Sequence, residues 1–287
     1  MVIVRIWEGL GNQLFQYAYA RSLLERGYDV VLDMDKSFDS SFAKYKNNDS
    51  RENVLQHYNI TIPCATKDQI SKFDFIKNRS VYDKWAIILS KYGFGKYRFY
   101  EETEQHFSKR SYDMTNNTYV KGWFQSKEYF KNIRNILINE ISLKEIKLSY
   151  LNLEDEIKKT NSVGIHVRRG DYVRTHHELS MAYYRNAIKK MNSIKDEVKY
   201  YVFSDDISWV KTHLDGEGEF VWVNEDRQLA DYEELILMSK CKDNIISNST
   251  FSWWSAWLND NDDKVVIAPR KWLYGQAGII PEEWNVI

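Results

Sequence analysis

The sequence predicts an α/β protein built from two Rossmann-like halves. Two observations carry this prediction: strands and helices alternate from Val2 onward, and a second alternating series starts at Ser162. Such alternation is typical of parallel sheets with helices on their faces. Because 287 residues suffice for two domains, we expect an N-terminal α/β domain over residues 1–155 and a C-terminal one over residues 156–287, facing each other across a cleft.

The N-terminal half opens with a strand, a helix and a second strand. An apolar run predicts a strand at residues 2–7, helical spacing of apolar residues predicts a helix at 13–26, and a second strand follows at 29–34. Residues 35–118 predict an excursion of helices and loops, with helices near 67–75 and 82–92. The half closes with a strand, a helix capped by its first residue, and a polar helical linker, at residues 119–123, 126–137 and 144–161.

The C-terminal half alternates more regularly and predicts a doubly wound parallel sheet. Its predicted strands cover residues 162–167, 199–204, 219–223, 244–247 and 264–268. Its predicted helices cover residues 180–192, 206–214, 231–240 and 251–258.

Composition limits the class of protein. Hydrophobic residues make up 43% and charged residues 28%, a globular balance, and the net charge of −1 gives no basic surface for nucleic acid. Aromatic residues reach 15%, and sugar-handling sites use aromatic faces. The two cysteines, Cys64 and Cys241, have no metal-ligand spacing, which indicates a reduced, cytosolic setting. No apolar run of ~18 residues predicts a transmembrane helix.

Two adjacent arginines give the strongest functional signal. Arg168 and Arg169 end a predicted buried strand, and the carboxyl ends of strands are where α/β proteins bind ligands. The guanidinium fork matches phosphate oxygens and stays charged. The segment therefore predicts a diphosphate site, whereas the alternative is a surface ion pair with Asp171.

The glycine turn after the first strand resembles a dinucleotide fingerprint that is broken. Gly11 is followed by Asn12 and Gln13, and Asp33 stands where a ribose-binding acid belongs, but Leu14 replaces the third glycine. NAD binding is therefore disfavoured. The turn still predicts backbone donors at a helix N-terminus that could face an anion. The alternative is a plain turn with Asn12 as the helix cap.

A polar run before the last predicted helix gives a third candidate. Ser249 and Thr250 either cap that helix or offer their donors to phosphate. Packing is the expected role of the three tryptophans that follow, Trp253, Trp254 and Trp257.

Other polar residues have two interpretations each. Asp205 and Asp206 follow a strand and either cap a helix or lie near a ligand; no third acid or histidine completes a metal site. His177 and Glu178 lie in a predicted loop, as exposed turn residues or as acid–base groups. Glu234 lies on a helix, either at the surface or within reach of a nucleobase edge.

Four ordered motifs together resemble the bacterial α-1,2-fucosyltransferases of glycosyltransferase family 11. The matching segments span nearly the whole chain and are Glu8–Tyr17, Gly122–Ser126 with Tyr129–Phe130, His166–Tyr172 and Ser247–Trp254. The resemblance implies a GT-B-like fold, GDP-β-L-fucose as donor, and inverting transfer to the 2-hydroxyl of a terminal galactose. It also implies that neither a metal nor another cofactor is required.

The resemblance assigns roles to single residues. Arg168 grips the diphosphate with Arg169 in support, Asp171 orients the two arginines, and His166 contacts the nucleotide. Glu234 stands where relatives carry an aspartate that reads guanine. Further contacts with the nucleotide sugar are expected from Gly11, Asn12, Gln13, Ser249, Thr250 and Phe251.

The acceptor side and the base are less defined. Glu8 replaces the first glycine of the usual Gly-Gly pair and is assigned to acceptor binding with Phe124 and Gln125. The base stays open among His177, Glu178, Asp171 and Glu8, with His177 placed in the catalytic set.

Three functions compete. The first is fucosyl transfer to a galactose-terminated glycan in surface polysaccharide or O-antigen synthesis, in the cytoplasm and with peripheral contact at the inner membrane face if the acceptor is lipid-linked. The second is transfer of another GDP-sugar. The third is a nucleotide-sugar or lectin-like binding protein without turnover, and an NAD-dependent oxidoreductase is more distant.

Overall fold

The chain forms two compact units, residues 1–141 and 142–287, in a computed structural model. The structure describes residues 1–34, 53–77, 85, 87–90, 94–102, 107–226, 228–273 and 278–287. The division comes before the boundary expected at residue 155. Residue 155 falls inside the helix Leu148–Lys159, which packs against the helix Asp231–Met238 of the second unit.

The first unit contains a four-stranded parallel sheet. Its strands are β1 (Val2–Arg5), β2 (Val30–Asp33), β3 (Arg98–Glu101) and β4 (Thr118–Lys121), in the order β2-β1-β4-β3. The sequence does not predict strand β3, because residues 35–118 indicate helices and loops. The sequence of the strand, Arg-Phe-Tyr-Glu, has neither the apolar run nor the strict alternation that signals a strand, and only Phe99 is buried.

The helices of the first unit differ from the predicted ones mainly at their ends. Helix α1 (Leu10–Glu25) begins three residues before the predicted start and has Gly9 as its N-cap. The helix expected near 67–75 is two short ones, α2 (Lys67–Ser71) and α3 (Asp74–Lys77). Of the helix expected near 82–92, residues 85 and 87–90 are helical and the rest lies outside the described residues.

The prediction of one helix over residues 126–137 is wrong. Two 3-10 turns, Lys127–Tyr129 and Lys131–Ile133, precede helix α4 (Arg134–Glu140). Phe130 separates the turns with φ −144° and ψ 7°, outside the α-helical region, and it is buried together with Tyr129. Ser126 does cap, but it caps the first 3-10 turn by accepting a hydrogen bond from the Glu128 amide.

The second unit contains a six-stranded parallel sheet and confirms the predicted alternation. Its strands are β5 (Ser162–Val167), β6 (Lys199–Ser204), β7 (Glu219–Trp222), β8 (Asp243–Ile245), β9 (Val266–Ala268) and the unpredicted β10 (Asn285–Val286). Its helices are α5 (Leu148–Lys159), α6 (Gly170–Thr175), α7 (Met181–Asn192), α8 (Ile207–His213), α9 (Asp231–Met238) and α10 (Thr250–Leu258). Helix α6 is absent from the predicted helices.

The order of this sheet, β10-β9-β8-β5-β6-β7, places a topological switch point between β5 and β8. The chain moves from β5 to β6 on one side and from β8 to β9 on the other. All six residues of β5 are buried, as expected for a central parallel strand covered on both faces. In such sheets, ligands bind outside the carboxyl ends of the strands at the switch point.

Several smaller expectations can be compared with the structure. The expected packing role of the tryptophans of α10 is confirmed, because Trp253 and Trp254 are fully buried and Trp257 is 6% exposed. Both cysteines are unpaired, Cys64 exposed and Cys241 buried. In the described part of the chain, no helix is long and apolar enough to cross a bilayer.

Candidate functional site

The segments that follow β5 and β8 meet at the switch point of the second unit. The Nδ1 atom of His166, near the end of β5, lies 2.9 Å from Oγ of Ser247, which follows β8. The imidazole ring also stacks on the ring of Phe251, with 4.7 Å between centroids. Two motifs separated by about 80 residues in the sequence therefore form one site.

Arg168 is held from two sides. Its Nη2 donates to Oδ1 of Asp171 at 2.6 Å, and its Nη1 lies 3.0 Å from Oδ2 of Asp205. Its Nε is buried and has no hydrogen-bond partner among the described residues. The expected ion pair with Asp171 is thus present, but it belongs to a larger arrangement. Sequence reasoning missed Asp205 as its second anchor, since nothing local links the two residues.

Gly170 allows Asp205 to approach this closely. Oδ1 of Asp205 accepts a hydrogen bond of 2.8 Å from the Arg169 amide. A Cβ atom on residue 170 would lie only 2.5 Å from Oδ2 of Asp205. The glycine of the motif therefore leaves room for the carboxylate that holds Arg168.

Arg169 has partners of its own. Its Nε donates to Oδ2 of Asp206 at 3.1 Å, and its guanidinium carbon lies 3.2 Å above the centre of the Trp209 ring. Asp206 is also the N-cap of α8, where its side chain accepts from the Trp209 amide. The capping role expected for this aspartate is confirmed, and the same contact anchors Arg169 to α8.

The electrostatics of the site favour a neutral histidine beside charged arginines. Burial, together with the positive charge of the nearby Arg168, lowers the pKa of His166 to about 3. The imidazole is therefore uncharged near pH 7. Asp205 and Asp206 act as partners of the arginines. Within the described ranges, no three His, Cys, Asp or Glu side chains cluster as metal ligands would.

The segment after β8 adds polar groups to the site. Ser249 caps α10, its Oγ accepting from the Phe251 amide at 3.4 Å, and Thr250 is the first residue of that helix. The capping interpretation is confirmed for Ser249. Asn248, which sequence reasoning did not single out, has a buried Oδ1 to which no described residue donates a hydrogen bond.

His177 is held close to these segments. Its amide donates to the carbonyl of Tyr172 at 3.0 Å, and its carbonyl accepts from Nδ2 of Asn248 at 2.9 Å. The preceding His176 has φ 55° and ends α6. Glu178 follows directly in the chain. Both ends of the His177 peptide are thus fixed by residues of the two motifs.

Glu234 binds Asn224, which in turn binds the backbone of Leu229 in the loop before α9. It lies in the first turn of α9, and its carboxylate accepts a hydrogen bond from Nδ2 of Asn224. Asn224 also bonds both the amide and the carbonyl of Leu229. Guanine recognition by Glu234 stays a prediction.

In the first unit, the amides expected at a phosphate serve the local fold. Nε2 of Gln13 donates to the Glu8 carbonyl at 2.8 Å, and its Oε1 accepts from the Val54 amide at 3.1 Å. Asn12 is the third residue of α1 and not its cap, so that interpretation is wrong. Gly11 is buried in the same turn. Contact of these residues with the nucleotide stays a prediction.

The three residues assigned to the acceptor have different environments. Glu8 and Gln125 both bond Asn12, at 2.7 Å each. Phe124 is fully buried and stacks on Tyr19, with 3.7 Å between ring centroids. Its side chain packs in the core, so direct contact with an acceptor is not available to it.

The two Rossmann-like units, each with a parallel sheet, are those of the GT-B fold class. The sequence model of glycosyl transferase family 11 matches residues 1–283, and the chain belongs to that family.

Several known proteins are similar to this chain. The O-antigen biosynthesis glycosyltransferase WbnK of Escherichia coli is 32% identical and is aligned over 93% of each chain. An alpha-1,2-colitosyltransferase of Escherichia coli is 29% identical over 99% of this chain and 98% of its own. Human galactoside alpha-(1,2)-fucosyltransferase 1 is 26% identical over 35% of this chain and 29% of its own. A mutant of Arabidopsis thaliana FUT1 in complex with GDP matches in fold, with a TM-score of 0.51 at 11% identity, over 92% of this chain and 69% of that chain.

Proposed function

We propose that this chain transfers L-fucose from GDP-β-L-fucose to the 2-hydroxyl of a terminal galactose, with inversion and without a metal ion. The proposed setting is the synthesis of a surface polysaccharide, at the cytoplasmic side of the membrane. The similarity to galactoside α-1,2-fucosyltransferases supports fucosyl transfer to galactose, and the similarity to an O-antigen glycosyltransferase supports the polysaccharide setting.

The observation that carries the proposal is the state of Arg168. Two carboxylates fix its guanidinium, while its buried Nε has no hydrogen-bond partner in the part of the chain that the structure describes. Leaving a buried charged donor unsatisfied is costly, and a phosphate oxygen satisfies it with a charge-assisted hydrogen bond. A diphosphate is therefore the ligand chemistry that best completes this site.

The proposed reaction uses the arginine as an electrostatic catalyst. The galactose 2-hydroxyl attacks the anomeric carbon of fucose from the face opposite GDP, and the bond from that carbon to the diphosphate oxygen breaks. Negative charge then builds on the diphosphate. A guanidinium fixed in advance stabilises that charge without reorganisation. Ser249 and Thr250 are proposed as further donors, with Arg169 in support.

The attacking hydroxyl must also lose a proton, and we propose His177 as the acceptor. Its peptide is fixed by Tyr172 and Asn248. The other candidates are Glu178, Glu8 and Asp171, of which Asp171 already binds Arg168 at 2.6 Å.

The test is a transfer assay with the purified full-length chain. GDP-fucose and a panel of β-galactosides are supplied, GDP release is followed, and the product linkage is read by NMR. We expect acceptor-dependent GDP release and an α-1,2 product. GDP-fucose binding without any turnover would instead identify a binding protein and refute the proposal.

Arg168→Ala provides the residue-level test. Losing one fixed donor to a developing charge costs about 2.7–4 kcal/mol, so we expect kcat to fall about 10²–10³-fold. Arg185→Ala is the matched control. Arg185 lies on α7, and its guanidinium forms an exposed ion pair of 2.8 Å with Asp215. Near-normal turnover of Arg168→Ala would contradict the assignment.

A colitosyl donor is the second candidate. The colitosyltransferase aligns with nearly the whole chain, and a grip on phosphate does not identify the sugar. Parallel assays with GDP-fucose and GDP-colitose decide between them by comparing kcat/KM.

A further inference from the structure

The backbone of Glu8 adopts a conformation that rarely suits its side chain. Its φ is 66°, in the left-handed region where glycine, asparagine and aspartate are favoured. Residues in such conformations persist only where their surroundings fix them, and they are frequent at ligand sites. The strain therefore raises the question of what the Glu8 carboxylate does.

The Glu8 carboxylate is fixed by donors from two parts of the first unit. Its Oε2 accepts from Nδ2 of Asn12 at 2.7 Å and from Nε1 of Trp123 at 3.0 Å. Oδ1 of Asn12 in turn accepts from Nε2 of Gln125 at 2.7 Å. Glu8 itself is only partly buried. Its second oxygen, Oε1, accepts no hydrogen bond from the described residues.

The indole of Trp123 is both exposed and immobilised. Its side chain is 41% exposed, although its Nε1 is bound to Glu8 and its ring lies 5.4 Å from the ring of Trp7. Lys121 Nζ lies 5.2 Å from the centre of the Trp7 ring. A large aromatic face is thus offered to solvent at fixed orientation, beside a carboxylate and an amide.

We propose that Trp123 and Glu8 bind the pyranose ring of the acceptor. We call this surface the Glu8–Trp123 platform and define it by Trp7, Glu8, Asn12, Trp123 and Gln125. One face of galactose carries the C–H groups of C3, C4 and C5, which suits the flat apolar face of an indole. The sugar hydroxyls at the ring edge then donate to Oε1 of Glu8, a charge-assisted contact.

The choice of sugar rests on the proposed function, while the platform itself rests on the contacts above. An indole face beside fixed polar groups fits a ligand that is apolar on one side and hydroxylated at its edge. Since Oε2 is occupied by two donors, the carboxylate cannot turn away from this orientation without losing both. The platform is accordingly preorganised for one ring.

The kinetic test compares substitutions in the platform with matched substitutions outside it. Trp123→Ala and Glu8→Gln are each expected to raise the acceptor KM at least fivefold, with a smaller change in kcat. Trp85→Ala is the control for the indole, since Trp85 is 61% exposed in the same unit. An unchanged acceptor KM in both platform variants would overturn the proposal.

Glu8→Gly separates the carboxylate from the backbone conformation. It keeps the left-handed backbone without strain and removes the side chain, so we expect a raised acceptor KM in a folded protein. Glu197→Gly is its control, because Glu197 is exposed and has φ 52° in the second unit. Thermal melting of all variants confirms folding, and a rise in acceptor KM shared by both Glu→Gly variants would contradict the proposal.

A binding experiment keeps the platform testable if transfer fails. Saturation-transfer NMR with methyl β-D-galactopyranoside and the unmodified protein, without donor, is expected to show signal at H3, H4 and H5 that Trp123→Ala loses. If no galactoside is fucosylated but this signal is present and lost in the variant, the platform stands and the proposed function fails. Absence of the signal together with normal transfer overturns the platform alone.

Discussion

At the scale of single residues, the site depends on the pairing of Arg168 with two aspartates. Asp171 and Asp205 bind different nitrogens of the same guanidinium, which fixes both its position and its plane. Lysine, a single point charge on a flexible stem, could not be held in this way. The neighbouring His166 stays neutral, so the positive charge of the site belongs to the arginines.

The lowered pKa of His166 makes stability depend on pH. Its pKa is about 3 in the folded protein and near 6.5 in an unfolded chain. The stability that the neutral His166 contributes is therefore fully present above about pH 6.5. It is lost as the pH falls toward 3, because in this range only the unfolded chain takes up the proton. Between about pH 6 and about pH 5, wild type should lose about 1 kcal/mol more free energy of unfolding than His166→Gln.

Urea denaturation at the two pH values measures this difference. His213→Gln is the control for removing a histidine from the surface, since His213 is exposed. If wild type and His166→Gln lose the same free energy of unfolding between the two pH values, then His166 is protonated in the folded state.

At the scale of elements, the start of helix α6 packs closely against Asp205, which directly follows strand β6, and Gly170 leaves the space for this contact. Gly170→Ala would place a Cβ 2.5 Å from Asp205, so the carboxylate must move and Arg168 loses an anchor. We expect kcat to fall at least tenfold. Asp205→Asn, which adds no volume, should lower kcat in the same direction.

The pair of variants also identifies the cause of the loss. The KM for GDP-fucose is measured with kcat, and melting curves control for folding. If Gly170→Ala lowers activity while Asp205→Asn does not, then the glycine acts through the backbone and not through the aspartate.

The N-cap of helix α10 is a second element whose sequence signal can be tested. Ser249 accepts a hydrogen bond from the Phe251 amide, so Ser249→Ala should cost about 1 kcal/mol of stability. Ser180→Ala is the control, because Ser180 is the N-cap of α7 but makes no side-chain capping bond. Chemical denaturation measures both, and equal losses would contradict a specific capping role.

At the scale of the whole molecule, the proposed catalysis uses charge that the chain itself supplies. In the proposed reaction, the guanidinium groups of Arg168 and Arg169 take the place of a divalent cation in neutralising the diphosphate. We therefore expect transfer activity to persist in EDTA, with a rate within about twofold of the untreated enzyme. Added Mg²⁺ or Mn²⁺ provides the comparison, and loss of activity in chelator that either ion restores would refute this expectation.

Much of the second unit could be predicted from its sequence, and less of the first. The buried run of β5 and the helical spacing of α7 each carry a periodic signal within a few residues. Strand β3 has one buried residue among four, so its position follows from pairing with β4 and not from its own pattern. Helix α6 has only six residues and begins with a glycine, which disfavours a helix, so its sequence did not predict it.

The sequence by itself determined the alternation of strands and helices and the motifs that end β5 and open α10, because periodicity and capping act over a few neighbouring residues. Only the tertiary structure decided which partners those motifs have. Asp205 joins Arg169 across 36 positions, and Trp123 joins Glu8 across 115. Such contacts depend on how strands are ordered in a sheet, which no local pattern records.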